Sequence, residues 1–305
     1  MASTRRLAWA FAALTTVTYV LVVFGAVVRL KGAGLSCPDW PLCYGELVPS
    51  MSFGVVFEVG HRYLASAVSL GLVGLTIWTC FLPKARKLLG RWLIAAFGIL
   101  GVQIVLGGLT VLQLLASWTV TSHLLCGNAF ALILALITAR LFAMDRAPAL
   151  GTLPAAARIL VPLSAVLLVV QMSLGGLVAA TFAGQACVEW PACVGSDWFP
   201  TLSGPVGLHI FHRLTAYALA FAVWALAAVC WKSPVLGRIT KVAAVLVFVQ
   251  VALGVSNVLL HLPSEVSAAH SLGAALLCLV IGLIVDRSFR PLAVDSAPLE
   301  LKDAA

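Results

Sequence analysis

Two cysteine pairs and four histidines are the residues of this chain best suited to chemistry, and each arrangement occurs twice. Cys37-Pro-Asp-Trp-Pro-Leu-Cys43 returns as Cys187-Val-Glu-Trp-Pro-Ala-Cys193, an offset of 150. His61-Arg62 returns as His212-Arg213 at an offset of 151, and His123 returns as His270 at 147. Two halves that place the same rare polar residues alike point to two related sites on one pseudo-symmetric scaffold.

Two imidazoles from facing helices are what bis-histidine haem ligation requires, the porphyrin standing between them with one axial nitrogen on each side. A histidine inside a membrane helix can instead serve packing or a proton relay. Ionisable groups at membrane depth are costly, and four of them duplicated at one depth favour ligation. Copper or zinc would want further ligands, and no Met or Cys recurs at this depth in both halves. Arg62 and Arg213, each beside a candidate ligand, could pair with haem propionates. His261 has no counterpart in the first half and reads as a loop residue.

The halves differ at one position. Glu58 lies three residues before His61, whereas its counterpart three residues before His212 is His209. A carboxylate in one half only could accept a proton or stabilise positive charge on a substrate there. The alternative is an acidic residue interacting with a helix N-terminus. Each cysteine pair closes a short loop around a Trp-Pro. A structural staple, a redox-active pair and, less readily, a zinc site all fit such a pair.

These residues need elements to hold them. The chain has 305 residues, 62% hydrophobic and 10% charged, against about 25% charged in a soluble domain. Eight apolar runs are long enough to cross a bilayer: Ala8–Val28, Tyr63–Leu82, Trp92–Leu115, His123–Met144, Ile159–Phe182, His212–Trp231, Val242–Leu260 and His270–Val285. In lipid the backbone must satisfy its own hydrogen bonds, so these runs are expected as helices. The fold class is therefore an all-α membrane protein, eight transmembrane helices as two pseudo-symmetric four-helix bundles, divided 1–150 and 151–305. His61, His123, His212 and His270 are expected to begin helices two, four, six and eight.

The net charge of +8 sits in short loops between apolar runs, with no basic stripe of the kind that binds nucleic acid. Fifteen Lys and Arg fall on one side, among them Arg146, Arg290 and Lys302. Only Arg29, Lys31, Arg62 and Arg213 fall on the other. By the positive-inside rule both termini are cytoplasmic, and the histidines and cysteine loops face the extracytoplasmic side. A third repeated element, Gln103-x-x-Leu-Gly, Gln171-x-x-Leu-Gly and Gln250-x-x-Leu-Gly, reads as helix packing through small residues and amides, with close approach to a flat macrocycle as the alternative.

The ordered set Gly34-Leu-Ser-Cys-Pro-Asp-Trp-Pro-Leu-Cys43, Glu58-Val-Gly-His-Arg62, His123, the Cys187/Cys193 loop, His212-Arg213 and His270 resembles the haem A synthases. The resemblance is to the bacterial type with extracytoplasmic cysteine pairs, and it spans all eight apolar runs. It implies an enzyme of the bacterial plasma membrane. Its reaction would convert haem O to haem A by oxidising a ring methyl to a formyl through successive hydroxylations, for use in cytochrome oxidase. It implies haem b held by His212 and His270 in the C-terminal half. The N-terminal half would be the substrate side, with His61 and His123 flanking haem O and Glu58 as the catalytic carboxylate. Cys37–Cys43 and Cys187–Cys193 would be disulfides. Haem O synthase and a quinol or another electron donor stand as candidate partners beside haem and the lipid bilayer. Two other classes compete with this reading: a di-haem b-type electron carrier, and a thiol oxidoreductase working through the cysteine loops. A transporter fits less well, because the polar groups cluster at one face and not at the midplane.

Overall fold

A computed structural model describes residues 2–144 and 152–289. Arg146, Arg290, Lys302 and the boundary drawn between 150 and 151 lie outside the described residues. Eight helices follow in order: α1 Ala2–Leu30, α2 Phe53–Cys80, α3 Pro83–Leu112, α4 Ser117–Ala143, α5 Ala157–Ala180, α6 Gly204–Val229, α7 Gly237–Leu259 and α8 Ser264–Ser288. All eight are long and apolar enough to cross a membrane, and among the described residues there is no strand.

Every even-numbered helix starts earlier than its apolar run. His61 is reached eight residues after Phe53 and His212 eight after Gly204; His123 comes six after Ser117 and His270 six after Ser264. The histidines therefore lie about two turns inside their helices rather than at the ends. The outer turns hold Gly, Ser, Thr, Glu and His, which lower hydropathy without interrupting the backbone hydrogen bonds that keep the chain helical in lipid.

Connections set the layout. Residues 81–82 join α2 to α3, 113–116 join α3 to α4 and 260–263 join α7 to α8, and such short links make the joined helices antiparallel neighbours. The two long connections, 31–52 and 181–203, carry the cysteine pairs. Phe11, Leu72, Leu89 and Leu134 lie in a buried cluster drawn from α1 to α4. Leu168, Leu226, Ala243 and Ile284 lie in a second drawn from α5 to α8.

The two clusters meet where α4 packs on α5 and α8, and α1 on α8. Small residues allow close approach here. A β-carbon on Gly176 would come within 2.9 Å of Thr121, and one on Gly282 would strike Leu132. At the opposite end from the cysteine loops, Arg140 of α4 pairs with Asp286 of α8 and stacks its guanidinium 4.2 Å from the Trp92 ring centre. At the loop end, Arg29 donates to the Ala179 carbonyl of α5 at 3.4 Å.

Candidate functional site

Each of the four histidines rests against a glycine on the other helix of its own hairpin. A β-carbon added to Gly25 of α1 would lie 3.0 Å from His61 Nε2, and one on Gly107 of α3 would lie 3.2 Å from His123 Cε1. In the second half, Gly175 of α5 would place it 3.0 Å from His212 Cε1, and Gly254 of α7 3.3 Å from His270 Cε1. A β-carbon at any of the four would make a tighter than ordinary contact, and the imidazole would have to give by a few tenths of an ångström. The seats repeat at offsets of 150 and 147, matching the loops and the histidines. Within each half the two rings are within electrostatic reach of one another, His61 of His123 and His212 of His270.

Amides accompany three of the four histidines, two of them at the ring. Gln103 Nε2 is 3.3 Å from His123 Nε2, and Gln171 Nε2 is 3.4 Å from His212 Nε2. Gln250 instead donates to the backbone carbonyl of His270 at 2.9 Å. The α1 position corresponding to Gln171 is Leu21, so the first helix has no amide at this place in the repeat. The glutamine repeat, read from sequence as helix packing, therefore lies directly at the histidines. The α1 glycine seat carried no such signal, because Leu21-x-x-Phe-Gly25 lacks the glutamine.

Whether these residues suit a haem can be tested on what they leave unsatisfied. Nδ1 of His123, His212 and His270 and Oε1 of Gln103, Gln171 and Gln250 are buried without a hydrogen-bond partner. Buried polar atoms are seldom left so, and where they are, a role in binding or chemistry is the first explanation to seek. Among the described residues no three His, Cys, Asp or Glu side chains come together as a metal-binding cluster. Paired imidazoles with glycine seats fit a flat ligand that brings its own equatorial nitrogens.

The carboxylate difference is built into the loops. Glu58 is 5% exposed; its Oε2 accepts the Cys37 backbone N–H at 2.9 Å and its Oε1 pairs with Arg62 at 2.5 Å. Arg62 also donates to the carbonyls of Asp39 at 3.0 Å and Leu42 at 2.6 Å. Glu58, Arg62 and the first loop thus form one network. Asp39 caps it: its carboxylate accepts the N–H groups of Tyr44 at 2.6 Å and Gly45 at 2.8 Å. The Gly45 hydrogen bond foremost, with that of Tyr44, holds the Asp39 carboxyl below the usual carboxylate range. Tyr44 and Gly45 both take positive φ, the conformation of a type I′ turn, between the bridged residues Cys43 and Glu46.

In the second half the arginine does this work alone. Arg213 donates to the carbonyls of Ala192 at 3.1 Å and Glu189 at 2.8 Å. His209, in the place of Glu58, is buried with its Nδ1 unpartnered. Apart from the Glu58–Arg62 pair, the partners of both arginines are loop carbonyls, which no side-chain pattern advertises. Both cysteine pairs are disulfide-bonded, Cys37 to Cys43 and Cys187 to Cys193. The tryptophans between them differ: Trp40 lies on Gly108 of α3, where a β-carbon would come within 3.1 Å of its ring, and Trp190 donates to Tyr217 Oη at 2.9 Å. His261 is exposed in the α7–α8 connection, apart from the other histidines.

A family model described as cytochrome oxidase assembly protein matches residues 7–281. The chain belongs to the family of cytochrome oxidase assembly proteins. It is 32% identical to the haem A synthase of Shewanella oneidensis, an alignment covering 90% of this chain and 94% of that protein. It is 30% identical to the haem A synthase of Paracoccus denitrificans, over 86% of this chain and 82% of the relative. With the haem A synthase of Halalkalibacterium halodurans the identity is 28%, over 90% and 95%. For this family the glycine seats give a direct check. Gly175→Ala drives a methyl group into the His212 ring, and tilting the ring to relieve the clash takes its nitrogen off any axis it shares with His270. The expected result is a weakened or lost haem at that site, read as the haem-to-protein ratio and the reduced absorption spectrum; an unchanged spectrum would mean the seat has no part in ligand placement.

Proposed function

We propose that the protein is a haem A synthase, an integral membrane enzyme that oxidises a ring methyl of haem O to a formyl by successive hydroxylations and so supplies haem A for cytochrome oxidase. The observation that carries this reading is the duplicated pair of glycine-seated histidines, with a buried carboxylate in one half and a histidine at its counterpart in the other.

The C-terminal half, from about residue 151, is the cofactor side: His212 and His270 hold haem b, and Gly175 and Gly254 fix their rings. When bound, that group supplies a one-electron redox centre. The N-terminal half is the substrate side. His61 and His123 orient haem O, and Glu58 holds a proton-accepting oxygen beside it. Arg62 fixes the Glu58 carboxylate, the amide of Cys37 supplies a second anchor, and the disulfide keeps that amide in place. Trp40 rests on Gly108, one residue from the Gly107 seat of His123. Both termini are cytoplasmic, and the histidines and loops lie toward the extracytoplasmic side. Haem O synthase as the source of substrate, and a quinol or another electron donor, complete the proposal.

Four similar histidines also suit a di-haem electron carrier, the second reading. Pigment analysis of the purified protein separates the two. Haem B together with haem O or haem A means that a cofactor and a substrate or product share the protein. Two equivalents of haem B alone favour the carrier, and no haem at all overturns both.

A further inference from the structure

The wall around His61 is aromatic in a way that the wall around His212 is not. Phe24 of α1 stands 6.0 Å from the His61 ring, centre to centre, and 6.2 Å from Phe57; Phe57 stands 5.1 Å from Phe53. Phe53, Phe57 and His61 follow one another at four-residue steps, so they line one face of α2 over about 12 Å. The line starts at the histidine and ends at Phe53, which is 70% exposed at the outer end of the helix. Gly60, against which the Phe24 ring rests at 3.5 Å from a would-be β-carbon, leaves room for it.

At the corresponding positions of the second half stand Leu174, Leu208 and Gly204, with Phe211 in place of Gly60. The ring contact of α6, Phe221 with Trp224, lies further along that helix. Among the described residues the ladder therefore belongs to one half alone. The two proposed ligands differ in the same sense: haem O carries a long prenyl chain that haem b lacks.

We propose that the Phe24–Phe57–Phe53 ladder is the groove that receives the prenyl tail of the substrate haem, leading it from the ring beside His61 toward the outer end of α2. This rests on the assignment of the N-terminal half as the haem O side. Flat aromatic faces offer a large apolar contact area with little conformational freedom to lose, which suits a flexible polyunsaturated chain. The ladder ends open at Phe53, so the length of the tail needs no closed cavity. Discrimination between the two haems then comes from the tail, with the imidazoles common to both.

The test is spectral titration of the purified protein, its C-terminal site loaded, with haem O and with haem B. The wild type should bind haem O more tightly at the N-terminal site. In the Phe24→Leu, Phe57→Leu double variant, which installs the residues of the second half, haem O affinity should fall about tenfold or more, while haem B affinity changes by less than about threefold. Equal losses for both haems, or none, would overturn the groove. A wild type that binds both haems equally would overturn the substrate-side assignment as well. Should the double variant misfold, seen as loss of the C-terminal haem, the unmodified protein titrated with a haem of shorter prenyl chain answers the same question. Undiminished affinity for the shortened tail would also overturn the groove.

Discussion

Replacing His270 with alanine is expected to strip the haem that the proposed function assigns to the C-terminal half. His270 lies two turns into α8, its ring against Gly254 and its Nδ1 buried without a partner. Gln250 grips its backbone carbonyl, so the helix is fixed at that level. Loss of a group that only supports a metal ligand commonly costs 10–100-fold in affinity. Loss of one of two axial ligands should cost at least that, and the haem-to-protein ratio should fall by about tenfold or more. His212→Ala should behave alike. His209→Ala should keep its haem, because His209 is not one of the two proposed ligands. Normal haem content in purified His270→Ala would refute the ligand assignment. Added imidazole restoring the spectrum would show that the alanine leaves a hole of the right shape.

Glu58→Gln should abolish formyl production while leaving haem content near that of the wild type. Removal of a positioned acid–base group typically costs 10²–10⁴-fold in rate, and a loss in this range is expected. The structure adds a structural term to the chemical one. Both carboxylate oxygens accept hydrogen bonds, from Cys37 N–H and from Arg62. A glutamine must turn its NH2 group toward one of these donors, so one bond is lost and the loop loosens. Reactivity of the Cys37–Cys43 disulfide toward a mild reductant separates the two effects. Lost activity with an unchanged disulfide places the role in chemistry. Product accumulating at the wild-type rate would leave Glu58 as a tie between loop and helix only.

Fold class and the eight spans were legible because the bilayer imposes long apolar runs, and the repeat was legible because its polar residues are few. The helix starts were not. Phe53–Gly60 and Gly204–Phe211 hold glycine, glutamate and histidine in place of an unbroken apolar run, yet both are helical. Of the site, the histidines, cysteines and Glu58 stand out as rare residue types. Gly25 does not, since a glycine in a membrane helix has many uses and its partner is 36 residues away in sequence. The arginines were noticed through charge asymmetry, but their contacts with Asp39, Leu42, Glu189 and Ala192 are to backbone oxygens that any sequence would offer. The phenylalanine ladder was invisible for a related reason: aromatic residues are unremarkable in a membrane chain until their rings are seen to touch.

Each helical hairpin carries one imidazole together with the glycine on which it rests. No hairpin therefore owns a complete site, and a ligand held between two histidines fastens two hairpins to each other. A group that binds only the assembled bundle stabilises it in proportion to the logarithm of its free concentration over its dissociation constant. On the proposed ligand assignment the loaded bundle should therefore outlast the empty one, which limited proteolysis of the two forms would read.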